Sequence, residues 1–216
     1  MMGVLFRAPV EVGSWSWDID FQGWPGVGDL LACLNETVPV LEGEELLRVS
    51  VISVRWREKG GGEGVKITYP VGSVVNESGA LEPFHIELPS GLSDPMVSTI
   101  DLIGNGVWFD EDGERHEADQ LVVVFVTSVP GAIGFELQVH HDIWSTYAFD
   151  GTPHPTIREK NAPRLARAIE GIEEVFRIEA EPGEPTYFGT SDRYGVRDPQ
   201  PEEIFDGRGP DKTDQF

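Results

Sequence analysis

One stretch of this chain, Asn161 to Arg177, carries helical spacing over several turns, and no second long helix is available to receive it. Ala162, Leu165, Ile169, Ile172 and Phe176 recur on one face, with Arg164, Glu170, Glu173 and Glu174 mostly on the other. Asn161 is the predicted cap and Pro163 fits the first turn. An apolar stripe of this kind has to be laid on a sheet. The rest of the chain must therefore supply strands, and it does.

"SWSWDIDFQGW" alternates: Trp15, Trp17, Ile19 and Phe21 point one way, Ser16, Asp18, Asp20 and Gln22 the other. "LLRVSVISVRWRE" is rich in β-branched residues, and "VKITYP" returns from the glycine-rich turn at 59–64 as a hairpin. "PFHIELPSG" and "VSTIDLIG" are shorter strand candidates. Asp112-Gly113 sets a tight hairpin inside "GVWFDEDGERHEA". "QLVVVFVTSV" is nearly continuous in apolar residues and predicts a central strand buried on both faces. Pro130-Gly131 turns the chain into a last long strand, Gly134 to about Phe149. A short helix is predicted near 27–35, where Leu30, Leu31 and Leu34 share a side.

The pattern predicts an α+β fold. A mainly antiparallel, curved sheet of six to nine strands carries the main helix near 161–177 and the short one near 27–35. Residues 1–197 form a single domain in this reading. Residues 198–216, rich in Pro, Gly and acids, read as a mobile tail.

Among 216 residues, acids outnumber Lys and Arg 38 to 16, giving a formal net charge of −22. That excludes a general nucleic-acid binder and argues against docking on anionic lipid, since both need basic surface. It suits fast, salt-sensitive association with a basic protein. No apolar run approaches the roughly 20 residues of a membrane span, and the N-terminus lacks the build of a secretory signal. The expected location is the cytoplasm. The preference for Arg over Lys, with plentiful Gly, Ala, Val and Pro, resembles a GC-rich bacterial source. Cys33 is the single cysteine, so neither an intrachain disulfide nor a multi-cysteine zinc site is available, and its apolar setting predicts a buried, inert thiol.

Two histidines and an acid meet in "FELQVHHDIW". Strand alternation would set Phe135, Leu137, Val139, His141 and Ile143 on the apolar face. Glu136, Gln138, His140, Asp142 and Trp144 would share the polar one. The neighbouring histidines then point apart, and His140 with Asp142 is the weak catalytic candidate, with His140 as acid or base. Trp144 and Tyr147 beside them are candidate binding residues, because a large aromatic among charges marks contact surfaces. His154, His116 and His85 show no diagnostic metal spacing, and no metal site or cofactor is expected. "DEDGE", Asp110 to Glu114, lacks the calcium-loop spacing and reads as a hairpin turn. No phosphate loop, nucleophile elbow or zinc-protease motif is present.

Two functions follow. The first is a soluble acidic protein-binding module, an inhibitor or immunity-type protein that neutralises a basic partner such as a toxin. Asp18, Asp20, Asp110 and Asp112 join Trp144 and Tyr147 as its candidate contacts. The second is a small-ligand binder or enzyme with a pocket on the curved sheet around His140 and Trp144. The absence of any catalytic motif favours the first.

Overall fold

The computed structural model describes residues 5–61, 64–76, 79–82 and 86–200, with Glu203 and Thr213. The chain is α+β. Its strands are β1 (Gly13–Asp20), β2 (Arg48–Glu58), β3 (Val65–Pro70), β4 (Pro95–Phe109), β5 (Arg115–Asp119), β6 (Val122–Val129), β7 (Ala132–Val139), β8 (Glu181–Pro182), β9 (Thr190–Asp192) and β10 (Gly195–Arg197). Its helices are α1 (Val27–Gly43) and α2 (Pro155–Phe176). Eight strands form one open sheet in the order β3-β2-β4-β6-β7-β1-β8, with β5 added to β4. Every neighbouring pair in it is antiparallel. The last two strands, β9 and β10, form a separate hairpin.

Turn chemistry places three hairpins where the sequence predicts them. β2 meets β3, with tip residues 62 and 63 outside the described residues. β4 meets β5 across Gly113, whose φ of 85° suits a residue without a Cβ. β6 meets β7 across Pro130-Gly131. β5 and β6 lie along the same strand, β4, on either side of a bend at Gln120, which takes a left-handed φ of 52°.

Strand alternation then sorts the side chains. Trp15 and Trp17, Phe135 and Leu137, Val124 and Val126, Ile100 and Leu102, Ile52 and Val54 fall on one face and are buried. Both helices lie on that face. α2 adds Ile157, Leu165, Ala168, Ile169 and Ile172, and α1 adds Leu30, Leu31, Leu34 and Leu41. A fully buried Leu or Ile contributes roughly 1.5–3 kcal/mol, so these rows hold the layers together. At one end Trp17, Phe135 and Phe176 meet edge to face, with centroids 5.3–6.2 Å apart.

The helices differ from expectation in extent and detail. α1 runs to Gly43 instead of ending near 35, passing through Pro39. A mid-helix proline costs about 3 kcal/mol, and burial of Thr37 just before it and Leu41 just beyond it offsets that. α2 begins at Pro155, so Pro155 occupies the first turn and Pro163 the interior. Asn161 is no cap. It is buried mid-helix, where Oδ1 accepts the Phe109 N–H at 3.0 Å and Nδ2 donates to Phe109 O and Ile157 O at 2.8 Å each. Arg164 is likewise buried rather than solvated. It donates to Val107 O at 2.7 Å and to Glu44 O, and stacks 5.0 Å from the Phe109 ring. Both polar side chains satisfy backbone groups where α1, α2 and β4 meet.

Two strand expectations outside the His140 region fail. "PFHIELPSG" forms no strand over 86–91, and 83–85 lie outside the described residues. There the Tyr69 hydroxyl, not a neighbouring strand, accepts the Glu87 N–H, and Pro89 has no N–H to offer a ladder. β6 is fully buried on the helix side but only half-buried at Phe125 and Thr127 on the other, where neither described helix packs. Of the expected tail, residues 198–200, Glu203 and Thr213 are described. Glu203 pairs with Arg197 at 2.6 Å and accepts the Gln200 N–H at 2.7 Å. The rest of 198–216 lies outside the described residues. No described helix is long and apolar enough to cross a membrane.

Candidate functional site

The long strand expected to carry the His140 site ends at Val139. Residues 5–12 then cross its end: Ala8 N–H donates to His140 O at 2.7 Å, and Arg7 bridges His141. The chain next folds into a 3-10 turn, Asp142–Trp144. Alternation stops there, so the polar face assigned to His140, Asp142 and Trp144 does not exist. All residues from His140 to Ser145 are buried, and Trp144 has no exposed surface. Tyr147 is exposed instead, in a loop bridged to Pro153.

What the turn builds is a buried polar knot. Asp142 Oδ1 accepts the Phe6 N–H at 3.3 Å, and Asp142 N–H donates to Phe6 O at 3.2 Å. His154 Nε2, at the start of α2, donates to Asp142 O at 3.1 Å. Asp142 Oδ2, His141 Nδ1, Trp144 Nε1 and Ser145 Oγ have no partner among the described residues. Burial pushes the Asp142 carboxyl up to about 7, against the pull of amides at Phe6 and Phe149. Burial pushes His141 down to about 4, helped by the Arg7 charge. Burial also lowers His140 and His154. His141 is thus a neutral core histidine, as its alternation suggested. Perturbed groups of this kind mark either chemistry or structure, and all of them here are buried. Two clefts, of about 200 and 460 Å³, lie elsewhere, beside Arg48 and Arg115 and along α1 at Val38 and Pro39. Neither is lined by any residue of the knot.

The four aspartates proposed as contacts divide into two places. Asp110 closes the β4–β5 turn. Its Oδ1 accepts the N–H groups of Asp112 and Glu114 at 3.0 and 2.9 Å, and Oδ2 meets His116 Nε2 at 2.8 Å. His116 holds the Asp110 carboxyl below the usual carboxylate range, and the backbone amides add to this. Asp112 is exposed at the tip. Asp18 and Asp20 are exposed on β1, beside the β6–β7 turn at the other end of the sheet.

Asp18 and Asp20 belong to the sheet face opposite the helices. Cross-strand register arranges that face in rows. The first row has two parts, Pro70, Val51 and Ile103 on one side of β4–β6 and Val123, Gln138 and Ser14 on the other. The second is Thr68, Ser53, Asp101, Phe125, Glu136, Ser16 and Glu181. The third is Lys66, Arg55, Thr99, Thr127, Gly134 and Asp18. Val51, Ile103, Val123 and Phe125 make an apolar centre. To one side, on β7, β1 and β8, lie Glu136, Asp18, Asp20 and Glu181, and none of these acids is in an ion pair among the described residues. To the other side lie Arg55 and Lys66. Lys66 Nζ sits 3.1 Å from Asp101 Oδ2. Asp101 is buried although it lies on the open face, and its Oδ1 has no partner among the described residues.

Sequence reasoning found Asp18 and Asp20 and missed Asp101, Phe125 and Glu136 as a group. The available signal was the acid inside the apolar run "TIDLI". Among the described residues no three His, Cys, Asp or Glu side chains converge as a metal site. Comparison with known proteins gives no matching family, no matching curated protein and no matching solved structure.

Proposed function

We propose that this chain is a protein-binding module that captures a basic partner on the helix-free face of its sheet. The observation that carries the reading is the face itself. An eight-stranded sheet places both helices on one side and leaves the other with an apolar centre beside four acids, Asp18, Asp20, Glu136 and Glu181, that are in no ion pair among the described residues. Contact surfaces combine apolar anchors with a charged rim in this manner. The net charge of −22 favours a cationic partner and speeds its approach. An inhibitor or immunity-type role in a bacterial cytoplasm, neutralising a basic toxin, fits that chemistry. The alternative of a small-ligand pocket at His140 and Trp144 loses support, because both residues are buried and neither cleft touches them.

The test uses tagged protein as bait in lysate of the source organism, with elution by a salt gradient. A single basic protein leaving at moderate salt from wild type, and missing from an Asp18→Asn, Asp20→Asn, Glu136→Gln variant, is the expected result. A partner that ignores salt, or that binds the triple variant equally well, would overturn the reading.

A further inference from the structure

Asp101, Phe125 and Glu136 stand side by side on three adjacent strands, in direct register. Directly paired side chains lie about 5 Å apart at Cβ. The row therefore presents a carboxylate, an aromatic ring and a second carboxylate within about 10 Å. Phe125 is half-buried, and Glu136 accepts a hydrogen bond from Gln138 Nε2 at 2.7 Å that orients it. Asp101 is only 4% exposed. One of its oxygens, Oδ1, has no partner among the described residues. The other is held by Lys66, whose side chain is 46% exposed and joined to the sheet by that contact alone among the ion pairs. A buried carboxylate left half-satisfied is an unusual thing to keep on a sheet face, since an unmet acceptor is destabilising.

We infer that the Asp101–Phe125–Glu136 row is an arginine-binding subsite, which takes the guanidinium of a basic partner as Lys66 swings out. This rests on the protein-binding reading above and names the group recognised at its centre. The match is one of shape as well as charge. A guanidinium is flat, donates along two parallel N–H bonds to one carboxylate, and stacks on an aromatic face. Asp101 offers the paired oxygens, Phe125 the ring and Glu136 the outer charge. A lysine ammonium uses one oxygen at a time and is more strongly hydrated, and the site already holds one in Lys66. The occupant is therefore an arginine of another protein. A second copy of this chain would bring its own −22 charge to the same surface.

The probes are fluorescent deca-arginine and deca-lysine peptides, titrated by anisotropy at low salt, with sedimentation of the free protein alongside. Wild type should bind deca-arginine about tenfold more tightly than deca-lysine, as fork-shaped, stacked recognition favours arginine. Asp101→Asn and Phe125→Leu should each erase that preference. Lys66→Met should strengthen deca-arginine binding, a gain that a misfolded variant would not show. Asp18→Asn with Asp20→Asn should weaken both peptides alike and keep the preference. Equal binding of the two peptides by wild type, or a preference that survives Asp101→Asn, overturns the subsite. So does a dimer that forms in wild type and dissolves in Asp101→Asn, because the occupant is then a second copy. If Asp18→Asn with Asp20→Asn leaves both peptides untouched while Asp101→Asn erases the preference, the subsite stands and the acidic-strip reading falls.

Discussion

Replacing Asp142 by Asn should remove a pH dependence from the stability of the whole fold. In the folded chain burial raises this carboxyl from 3.8 to about 7. The folded state therefore holds a proton that the unfolded state gives up anywhere above about pH 4. The group's contribution is fully present below 3.8 and is lost as pH rises through 7. A gap of roughly 3 pH units at 1.36 kcal/mol each amounts to about 4 kcal/mol of stability lost by pH 8. That is a large part of the 5–15 kcal/mol available to a typical domain. His141 works the other way: its folded value near 4 lies below 6.5, so its contribution is lost as pH falls through 4. Asn resembles the protonated acid in shape. Urea unfolding followed by far-UV circular dichroism should find Asp142→Asn already about 1.5 kcal/mol more stable than wild type at pH 5, where the folded acid keeps its proton and the unfolded one has lost it. At pH 8 the variant should be the more stable, by about 3–4 kcal/mol. A difference between the two proteins that stays constant from pH 5 to pH 8 would show that Asp142 titrates normally, and the burial argument would be wrong.

Two further outcomes follow from buried groups. Asn161→Ala strands the N–H and C=O of Phe109 and should lower unfolding free energy by about 3 kcal/mol, whereas Asn161→Asp keeps the acceptor for the N–H alone and should fall between; equal stability of Ala variant and wild type in urea would refute the clamp. The Cys33 thiol, pushed up to about 12 by burial and then by Glu36, should stay unlabelled by a disulfide reagent at pH 8 in the native protein and react fully in denaturant; rapid native labelling would place it at the surface.

The hairpins were legible because turn chemistry is local. Asp112-Gly113 and Pro130-Gly131 announce themselves, and β-branched runs flank them. The start of α2 was not legible. Asn161 before Pro163 imitates a cap, and only contact with Phe109 on a strand far away in sequence shows its different use. The His140 region failed for a related reason. Period two describes a residue only while a strand lasts, and β7 stops at Val139 because the N-terminal segment crosses it. Nothing within "VHHDIW" signals that crossing. The acidic residues of β1 were readable from alternation alone. Their grouping with Asp101, Phe125 and Glu136 depends on strand order, which pairs β4 with β6 and β7 with β1, and no periodicity encodes that order.

The position of β1 sets the tempo of folding. It precedes the other described strands in the chain, yet its ladder partners are β7 and β8, and Ser14 bonds Ser191 across a separation of 177 residues. The three hairpins can close early through short loops, while β1 must wait as an unpaired ribbon bearing Trp15 and Trp17 until β7 has been synthesised. Contacts of such long range slow folding and leave apolar surface open in the interim. A ribosome-bound chain lacking β7 thus exposes two tryptophans that the finished protein hides.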